Sequence, residues 1–357
     1  MPDFVRYAPD LESAQPDERE TIEGLKAQFG KIIDTTLADY GRGVRAVHAK
    51  AHGIARGTLT ILGDLPPELA QGLFAHGGRY EAMLRFSTNP GDILDDAIAL
   101  PRGLALKVLG VEGERLPGSE RDTTQDFVMV NAPAFIAKDA AQFLGNLKLL
   151  AKTTDRAEGG KKLLSATLRG VEAGLEAVGL ESATLKSMGG APQVHPLGQT
   201  YFSQTAFRYG DRVAKFQIRP VAPALLALHD AHVDTKGRPD AIREDVDAAL
   251  SRHGGTWELR VQLCTDVAAM PVEDATVEWD QGASPYRTVA LIDVPAQPGW
   301  DTERQALDEA LAFSPWHGLA AHQPLGNINR ARRESYRYSA DRRRGANGCP
   351  LHEPLPD

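Results

Sequence analysis

The spacing of apolar and polar residues predicts a chain of strands and helices. Apolar residues occupy every second position from Trp257 to Leu263, which is typical of a strand with one buried face. Between Pro16 and Tyr40 they recur at helical spacing, and Gly41 follows as a helix end. Further strands are predicted at residues 44–62 (long or bent, and interrupted near Gly53), 79–87, 103–110, 125–131, 200–209, 212–219 and 286–294. Further helices are predicted at residues 65–74, 138–179, 239–253, 301–313 and 327–345.

The order of these elements favours one fold class. Helices do not separate the roughly eight predicted strands one by one, which argues against a doubly wound parallel sheet. The pattern favours an α+β fold, in which an antiparallel sheet or closed barrel carries helices on its outside. We expect an N-terminal arm and helix over residues 1–40, one barrel domain with helical insertions over 41–345, and a C-terminal tail over 346–357.

The composition indicates which binding partners and which cellular compartment to expect. The chain has 357 residues, 42% of them hydrophobic, and its net charge of −8 does not suggest nucleic acid or an anionic membrane as partner. The first residues lack the apolar segment of a signal peptide, and no apolar run approaches the ~18 residues of a membrane span. The two cysteines, Cys264 and Cys349, lie far apart and form no CxxC, so we expect free thiols in a reducing compartment. The expectation is a cytoplasmic protein.

The segment from Asn327 to Gly345 carries the most distinctive chemistry. On a helix, Arg332, Tyr336 and Arg343 share one face, because their offsets are 4 and 7 residues. Two guanidinium groups favour the ionised phenol, which a tyrosine with an ordinary pKa of about 10 needs in order to ionise near neutrality. A phenolate can serve as the axial ligand of a haem iron. The alternative is a basic, solvated helix that rests on nucleic acid.

His48 lies in the segment Arg-Ala-Val-His-Ala-Lys. If this segment is extended, the imidazole projects from a strand into a cavity. A lone histidine is more often a satisfied core or surface residue. A zinc pair with His52, four residues on, ranks below both alternatives, because the surroundings are strand-like and no glutamate lies nearby.

Two further polar residues interrupt apolar strands. Arg85 lies within Met-Leu-Arg-Phe-Ser-Thr, and a buried arginine requires an anion, which is either a protein carboxylate or a ligand carboxylate or phosphate. Asn131 closes the strand that begins at Gln125. Phe135 and Phe143, which follow it, are most simply core residues.

These four segments, in this order, resemble the haem catalase superfamily. The matching pieces are RAVHAK, LRFST, DFVMVNAPAF followed by KD, and RxxxY with a further arginine seven residues after the tyrosine. The resemblance runs from about Gly43 to Arg343 and is loose between Thr153 and Arg260. The Pro-Leu-Gly-Asn-Ile-Asn-Arg run before the last helix is similar to that of the small catalase-related haem proteins. The resemblance implies an eight-stranded antiparallel barrel, outer helices and a C-terminal helix that ligates haem, without most of the wrapping segment of larger catalases or a flavodoxin-like domain.

The resemblance also implies roles for individual residues. The cofactor would be ferric haem b with Tyr336, rather than Tyr338, as its metal ligand. His48 would be the distal catalytic imidazole, and Asn131 the second catalytic residue. The cofactor-binding residues would be Arg45, Val47, Arg85, Ser87, Phe143, Arg332 and Arg343.

One position departs from the family pattern. Aligned on Pro133, the distal asparagine of catalases falls on Val130, and Asn131 follows it. A one-residue shift along a strand turns Asn131 to the opposite face, unless a bulge restores it. Efficient dismutation of hydrogen peroxide is the activity that this departure would affect.

The function implied is a peroxidase that reduces hydrogen or organic peroxides by O–O heterolysis, with weak catalase activity and a small organic electron donor. His48 would act first as a general base and then as a general acid. The alternatives are a fatty-acid hydroperoxide lyase or isomerase on the same site, or a non-enzymatic barrel that binds haem or lipid. No nucleic-acid partner or membrane span is expected, and a homodimer stays open.

Overall fold

The computed structural model describes residues 3–153 and 193–348, within which it contains nine strands and six α-helices. The strands are β1 (Ala51–Ile61), β2 (Gly78–Thr88), β3 (Arg102–Val108), β4 (Gln125–Val130), β5 (Tyr201–Phe202), β6 (Phe207–Tyr209), β7 (Arg212–Pro220), β8 (Gly255–Leu263) and β9 (Arg287–Val294). The helices are α1 (Glu18–Tyr40), α2 (Ala140–Thr153), α3 (Pro223–Leu226), α4 (Ala241–His253), α5 (Thr302–Ala310) and α6 (Asn327–Asn347). Short 3₁₀ turns cover Pro9–Leu11, Gly72–Phe74, Pro196–Gly198 and Ala320–His322.

The strands close into a barrel in which every described pairing is antiparallel. The ring runs β1-β2-β3-β4-β5-β7-β8-β9 and returns to β1, while β6 adds a short ninth strand beside β7. Short β5 completes the ring, since Phe202 pairs with Val130 of β4 and Tyr201 pairs with Ile218 of β7. The predicted eight-stranded antiparallel barrel with outer helices is therefore confirmed.

Alternation along each strand separates the barrel core from the outer wall. Leu84 and Phe86 of β2 point into the interior, where they are fully buried. Arg85 and Ser87, between and after them, point outward. Each fully buried aliphatic or aromatic side chain contributes about 1.5–3 kcal/mol through removal from water, so the interior dominates the stability of the barrel.

Helices α1, α2 and α6 pack together outside the barrel. Gly41 ends α1 in the left-handed conformation with φ 68°, and its N–H donates to the carbonyl of Leu37. Helix α6 follows Gly326, which has φ 85°. Among the described residues, no helix is both long enough and apolar enough to cross a lipid bilayer.

Two of the predicted strands, at residues 44–62 and 200–209, do not form over their whole predicted length. The strand predicted from Val44 begins only at Ala51, because residues 44–50 form bends and His48 has φ 54°. The interruption near Gly53 is present as a register shift against β2. The strand predicted at 200–209 divides into β5 and β6, because Gln204 has φ 62°.

Other boundaries differ by less. The helix predicted over 301–313 ends at Ala310, and the last helix runs to Asn347. The helix predicted at 65–74 is wrong, because only a 3₁₀ turn at its end forms. Cys264 is a buried free thiol. The predicted helix beyond Thr153 lies outside the described residues, as do Cys349 and most of the predicted tail.

Candidate functional site

Two adjoining cavities of about 520 and 80 Å³ lie between the outer wall of the barrel and α6. They share five lining residues, so we treat them together as the slot. The shared residues are Phe29, Val47, His48, Val128 and Tyr336. Every site residue predicted from the sequence lines one or both cavities. The structure therefore brings together side chains from the segment before β1, from β2, from the end of β4, and from α2 and α6.

His48 borders the slot on the barrel side. Its N–H donates to the carbonyl of Asn89 at 2.8 Å, and its carbonyl accepts from Nη2 of Arg85 at 3.0 Å. Its Nδ1 lies 3.1 Å from Oγ of Ser87, which orients the ring. Burial, and then the positive charges of Arg85, Arg332 and Arg45, lower the pKa of His48 to about 3, so its imidazole is neutral at physiological pH.

Gly103 of β3 makes room for the His48 ring. A Cβ on Gly103 would lie 2.5 Å from both Cε1 and Nδ1 of His48 and 2.9 Å from Oγ of Ser87. Real Cβ atoms do not approach that closely, and ring and hydroxyl are both held by their mutual contact. The wall of the slot beside His48 therefore requires glycine at position 103. A glycine within an apolar strand is the sequence signal that could reveal this close approach.

Tyr336 borders the slot on the helix side. Its phenol has no hydrogen-bond partner among the described residues, so its oxygen is available to a ligand. Arg332, one helical turn earlier, donates from Nη1 to Oδ1 of Asn329 at 3.0 Å and to Oγ1 of Thr205 at 3.3 Å. Tyr338 lines neither cavity and instead packs against α1.

Three arginines meet at one edge of the slot and surround Asp308 of α5. Oδ1 of Asp308 accepts from Nε of Arg85 at 2.6 Å and from Nη1 of Arg45 at 2.9 Å. Arg343 donates to the carbonyls of Glu309 and Leu311 at 2.8 and 2.7 Å. Burial raises the pKa of Asp308, but the charges of Arg45, Arg85 and Arg343 outweigh it and hold the pKa at about 2.

The carboxylate that Arg85 requires is thus supplied by the protein. Nη2 of Arg85 donates to the carbonyl of His48, while Nη1 has no hydrogen-bond partner among the described residues. Asp308 itself was missed from the sequence. Its helix shows no pattern that pairs it with arginines more than 200 residues away.

Asn131 and its neighbour Val130 both line the slot, although adjacent residues of a regular strand face opposite sides. Strand β4 ends at Val130, so the strict alternation that would turn Asn131 away does not extend to it. Oδ1 of Asn131 accepts from the N–H of Arg102 at 2.8 Å. This contact fixes the orientation of the amide, and its nitrogen has no partner among the described residues.

Gln204 is a further residue of the slot that the sequence did not reveal. It and His48 are the only non-glycine residues with positive φ in the described ranges, and both line the larger cavity. Nε2 of Gln204 donates to the carbonyls of Ala132 at 3.1 Å and Ala134 at 2.6 Å. Strained backbone of this kind is retained where the surrounding contacts hold it, often at functional sites.

Much of the remaining lining of the slot is apolar. Val47 precedes β1 and Val128 lies on β4, while Leu25 and Phe29 come from α1. Phe143 of α2 stacks against Phe135 with ring centroids 5.2 Å apart, so it is both a core residue and a wall residue.

The zinc alternative finds no support in the described parts of the chain. His52 is buried on β1 with Nε2 3.3 Å from Oγ1 of Thr88, and it does not line the slot. Within residues 3–153 and 193–348, no group of three or more His, Cys, Asp or Glu side chains could hold a metal ion.

The closed barrel with helices α1, α2 and α6 across one wall is a catalase-related fold. A fungal catalase superposes with a TM-score of 0.61 at 20% identity, over 87% of this chain and 62% of the catalase. Catalase A from Saccharomyces cerevisiae gives a TM-score of 0.59 at 20% identity, also over 87% of this chain and 62% of the catalase. A bacterial catalase gives 0.62 at 19% identity, over 99% of this chain and 66% of its own.

This chain therefore spans about two thirds or less of the length of these catalases. No family model matches the sequence. At this level of identity the similarity establishes the fold.

Proposed function

We propose that the protein is a haem-dependent peroxidase that reduces hydrogen or organic peroxides and has weak catalase activity. The observation that carries the proposal is the position of His48 and Tyr336, which border the same slot from opposite elements. The catalase-related fold supports it, because three solved structures that share the fold are catalases.

The residues around the slot fit a haem. A planar apolar macrocycle would suit the valine and phenylalanine side chains of the slot, and the phenol of Tyr336 would suit an iron ligand. The arginine cluster (Arg45, Arg85 and Arg343) lies at one edge of the slot, where Asp308 accepts hydrogen bonds from Arg45 and Arg85. Guanidinium groups are well suited to bind the propionates of a haem.

When bound, ferric haem supplies the redox-active iron at which a peroxide O–O bond is cleaved. Tyr336 would hold the metal, and Arg332 would contribute positive charge on the same helix face. Neutral His48 would accept a proton from the peroxide and return it to the leaving oxygen, so no proton would be gained or lost. The amide nitrogen of Asn131 would donate a hydrogen bond to the substrate, and the apolar side chains of the slot would limit access of water.

The test begins with the absorption spectrum of the purified protein after haem addition. Tyr336→Phe is expected to lose the spectrum of phenolate-ligated haem, while Tyr338→Phe, the matched control on the same helix, keeps it. His48→Ala is expected to retain haem and lose turnover by about 10²–10⁴-fold, the usual contribution of a positioned acid–base group. Because the pKa of His48 is about 3, wild-type turnover should show no histidine-dependent loss between about pH 5 and 8.

Product analysis then separates the candidate activities. Hydrogen peroxide, tert-butyl hydroperoxide and a fatty-acid hydroperoxide are each supplied with and without an organic reductant. Reductant-dependent turnover supports the peroxidase, and rearrangement of the lipid hydroperoxide without reductant would establish the lyase or isomerase. A protein that binds no haem, or a His48→Ala variant with normal turnover, contradicts the proposal.

A further inference from the structure

A buried lysine directly before β1 is held by four oxygen atoms. Nζ of Lys50 donates to the carbonyls of Leu94 at 2.8 Å and Pro239 at 2.7 Å. It also forms ion pairs with Oδ1 of Asp96 at 2.8 Å and Oδ1 of Asp240 at 3.0 Å. An ammonium group is a compact point charge with three hydrogens, so these four oxygens surround it as they would surround a small spherical cation.

The four oxygens belong to two loops that are also joined to each other. The N–H of Asp96 donates to the carbonyl of Pro239 at 3.0 Å, and Oδ2 of Asp96 accepts from the N–H of Ile242 in the first turn of α4 at 2.9 Å. The side chains of Lys50 and Asp96 are each 2% exposed. A buried carboxylate is unfavourable unless a cation lies near it. The ammonium group therefore supplies the charge that allows these loops to meet in the interior.

Lys50 lies two residues after His48, on the turn in which His48 has φ 54°. This turn follows the end of β2, because the N–H of His48 donates to the carbonyl of Asn89 at 2.8 Å. The carbonyl of Lys50 accepts from the N–H of Thr88 at 3.2 Å. A non-glycine residue keeps a positive φ only where the surrounding contacts hold it. Since Lys50 does not line the slot, it acts on His48 through this turn.

We propose that Lys50 is a positioning residue for His48, and that its ammonium group is a tethered cation in a four-oxygen site that fixes the His48 turn. A lysine shortened to alanine then leaves a site that accepts a free monovalent cation of the size of ammonium. The distances of 2.7–3.0 Å suit ammonium, whereas the smaller Na⁺ would lie too far from the oxygens. The effect on turnover rests on the proposed function, whereas cation binding at this site does not require haem.

Lys50→Ala tests this in ammonium chloride and in sodium chloride at equal ionic strength. In sodium chloride, the haem-free variant is expected to exchange amide hydrogens over residues 47–50 at least about tenfold faster than wild type. Ammonium should slow that exchange at least about threefold and raise the melting temperature by at least about 2 °C relative to sodium.

Lys215→Ala is the matched control for the cation effect. Lys215 is also 2% exposed, but among the described residues its Nζ donates to a single oxygen, the carbonyl of Val277. The melting temperature of Lys215→Ala should therefore be the same in the two salts.

Turnover of the haem-loaded protein provides the second measurement. In sodium chloride, Lys50→Ala should retain haem while kcat per haem falls on the order of tenfold or more, because a small displacement of an acid–base group lowers the rate strongly. Ammonium should raise that kcat at least about threefold. A merely structural role would lower the amount of folded, haem-loaded protein and leave kcat per haem unchanged.

If Lys50→Ala does not fold in either salt, Asp240→Asn provides the test, because Asp240 is 44% exposed and the lysine remains in place. Exchange over residues 47–50 should accelerate at least about threefold, whereas Asp245→Asn, which breaks an ion pair with Arg238 and leaves Lys50 untouched, should not change it. Equal exchange and equal kcat of Lys50→Ala in the two salts, or unaltered exchange in Asp240→Asn, overturns the role of Lys50 while haem binding stands. Failure of wild type to bind haem overturns the proposed function, and the haem-free measurements still decide the cation site.

Discussion

At the scale of single residues, Gly103 shapes the wall of the slot beside His48. Gly103→Ala would place a methyl group 2.5 Å from the His48 ring, which is itself held by Ser87. We expect the ring to be displaced, with a stability loss of about 1–3 kcal/mol from overpacking. Haem loading should persist while peroxide turnover falls on the order of 100-fold or more, because a small displacement of an acid–base group is costly. Absorption spectra and turnover measure the two effects.

Gly63→Ala is the control for this change, since a Cβ there meets no atom within 4 Å. Its turnover should equal that of wild type. A Gly103→Ala protein with the same turnover as Gly63→Ala would show that His48 does not need this space.

The sequence predicted residues that belong to local motifs and missed those that act across the chain. Arg85 and Tyr336 each lie in a short recognisable segment, and both line the slot. Asp308 could not be predicted, because its role comes from two arginines distant in sequence. The sequence left open whether Asn131 faces the slot, because the end of β4 cannot be fixed to one residue from alternation alone.

At the scale of elements, the segment between β5 and β6 positions the turn that carries Asn131. Gln204 donates to two carbonyls of this turn while its own backbone has φ 62°. Gln204→Leu loses both hydrogen bonds and keeps the strain, whereas Gln204→Gly loses the bonds and relieves the strain. We expect amide hydrogen exchange over residues 131–136 to accelerate at least about tenfold in both variants. Gln204→Leu should be the less stable by about 1 kcal/mol, as measured by urea unfolding.

Exchange in β9, which lies opposite β4 in the ring of strands, provides the internal control and should not change. Unaltered exchange over residues 131–136 in both variants would mean that the turn is held by other contacts. Faster exchange in β9 as well would indicate general destabilisation instead.

The barrel was predictable from alternation, but the two interruptions at its edge were not. Period-two patterns identified β3, β7 and β8 to within a few residues. The failures are at residues 44–50 and 203–206, which contain His48 and Gln204 with positive φ. Tertiary contacts impose these conformations against local preference, and both residues line the slot.

At the scale of the whole molecule, one arginine joins four separate parts of the chain. Arg330 of α6 forms ion pairs with Glu12 of the N-terminal arm, Glu18 of α1 and Glu273 of the loop after β8, at 2.8 Å each. Since α1 supplies Leu25 to the slot wall, this junction holds the wall against α6. The N-terminal helix, predicted as a separate segment, thus contributes to the site itself.

The ion pairs of Arg330 make the free energy of unfolding depend on pH, and the pKa of Glu18 gives the direction of that dependence. Burial raises the pKa of Glu18, but the hydrogen bonds and charge of Arg330 outweigh it, so the pKa is lower in the folded protein than in the unfolded chain. A lowered folded pKa gives stability that is present above the unfolded pKa of about 4.3 and lost as the pH falls through the folded value. Arg330→Gln should therefore lower the free energy of unfolding by about 1–3 kcal/mol at pH 7 and by less at pH 3.5.

Arg337→Gln on the same helix is the control, because Arg337 is 80% exposed and its nearest carboxylate is 3.8 Å away. Its unfolding free energy should match that of wild type at both pH values. If the loss caused by Arg330→Gln were the same at pH 7 and pH 3.5, the junction would act through packing of the arginine stem rather than through charge. Asp308, a buried carboxylate beside arginines, has a pKa of about 2, so its own contribution to stability is lost only at still lower pH.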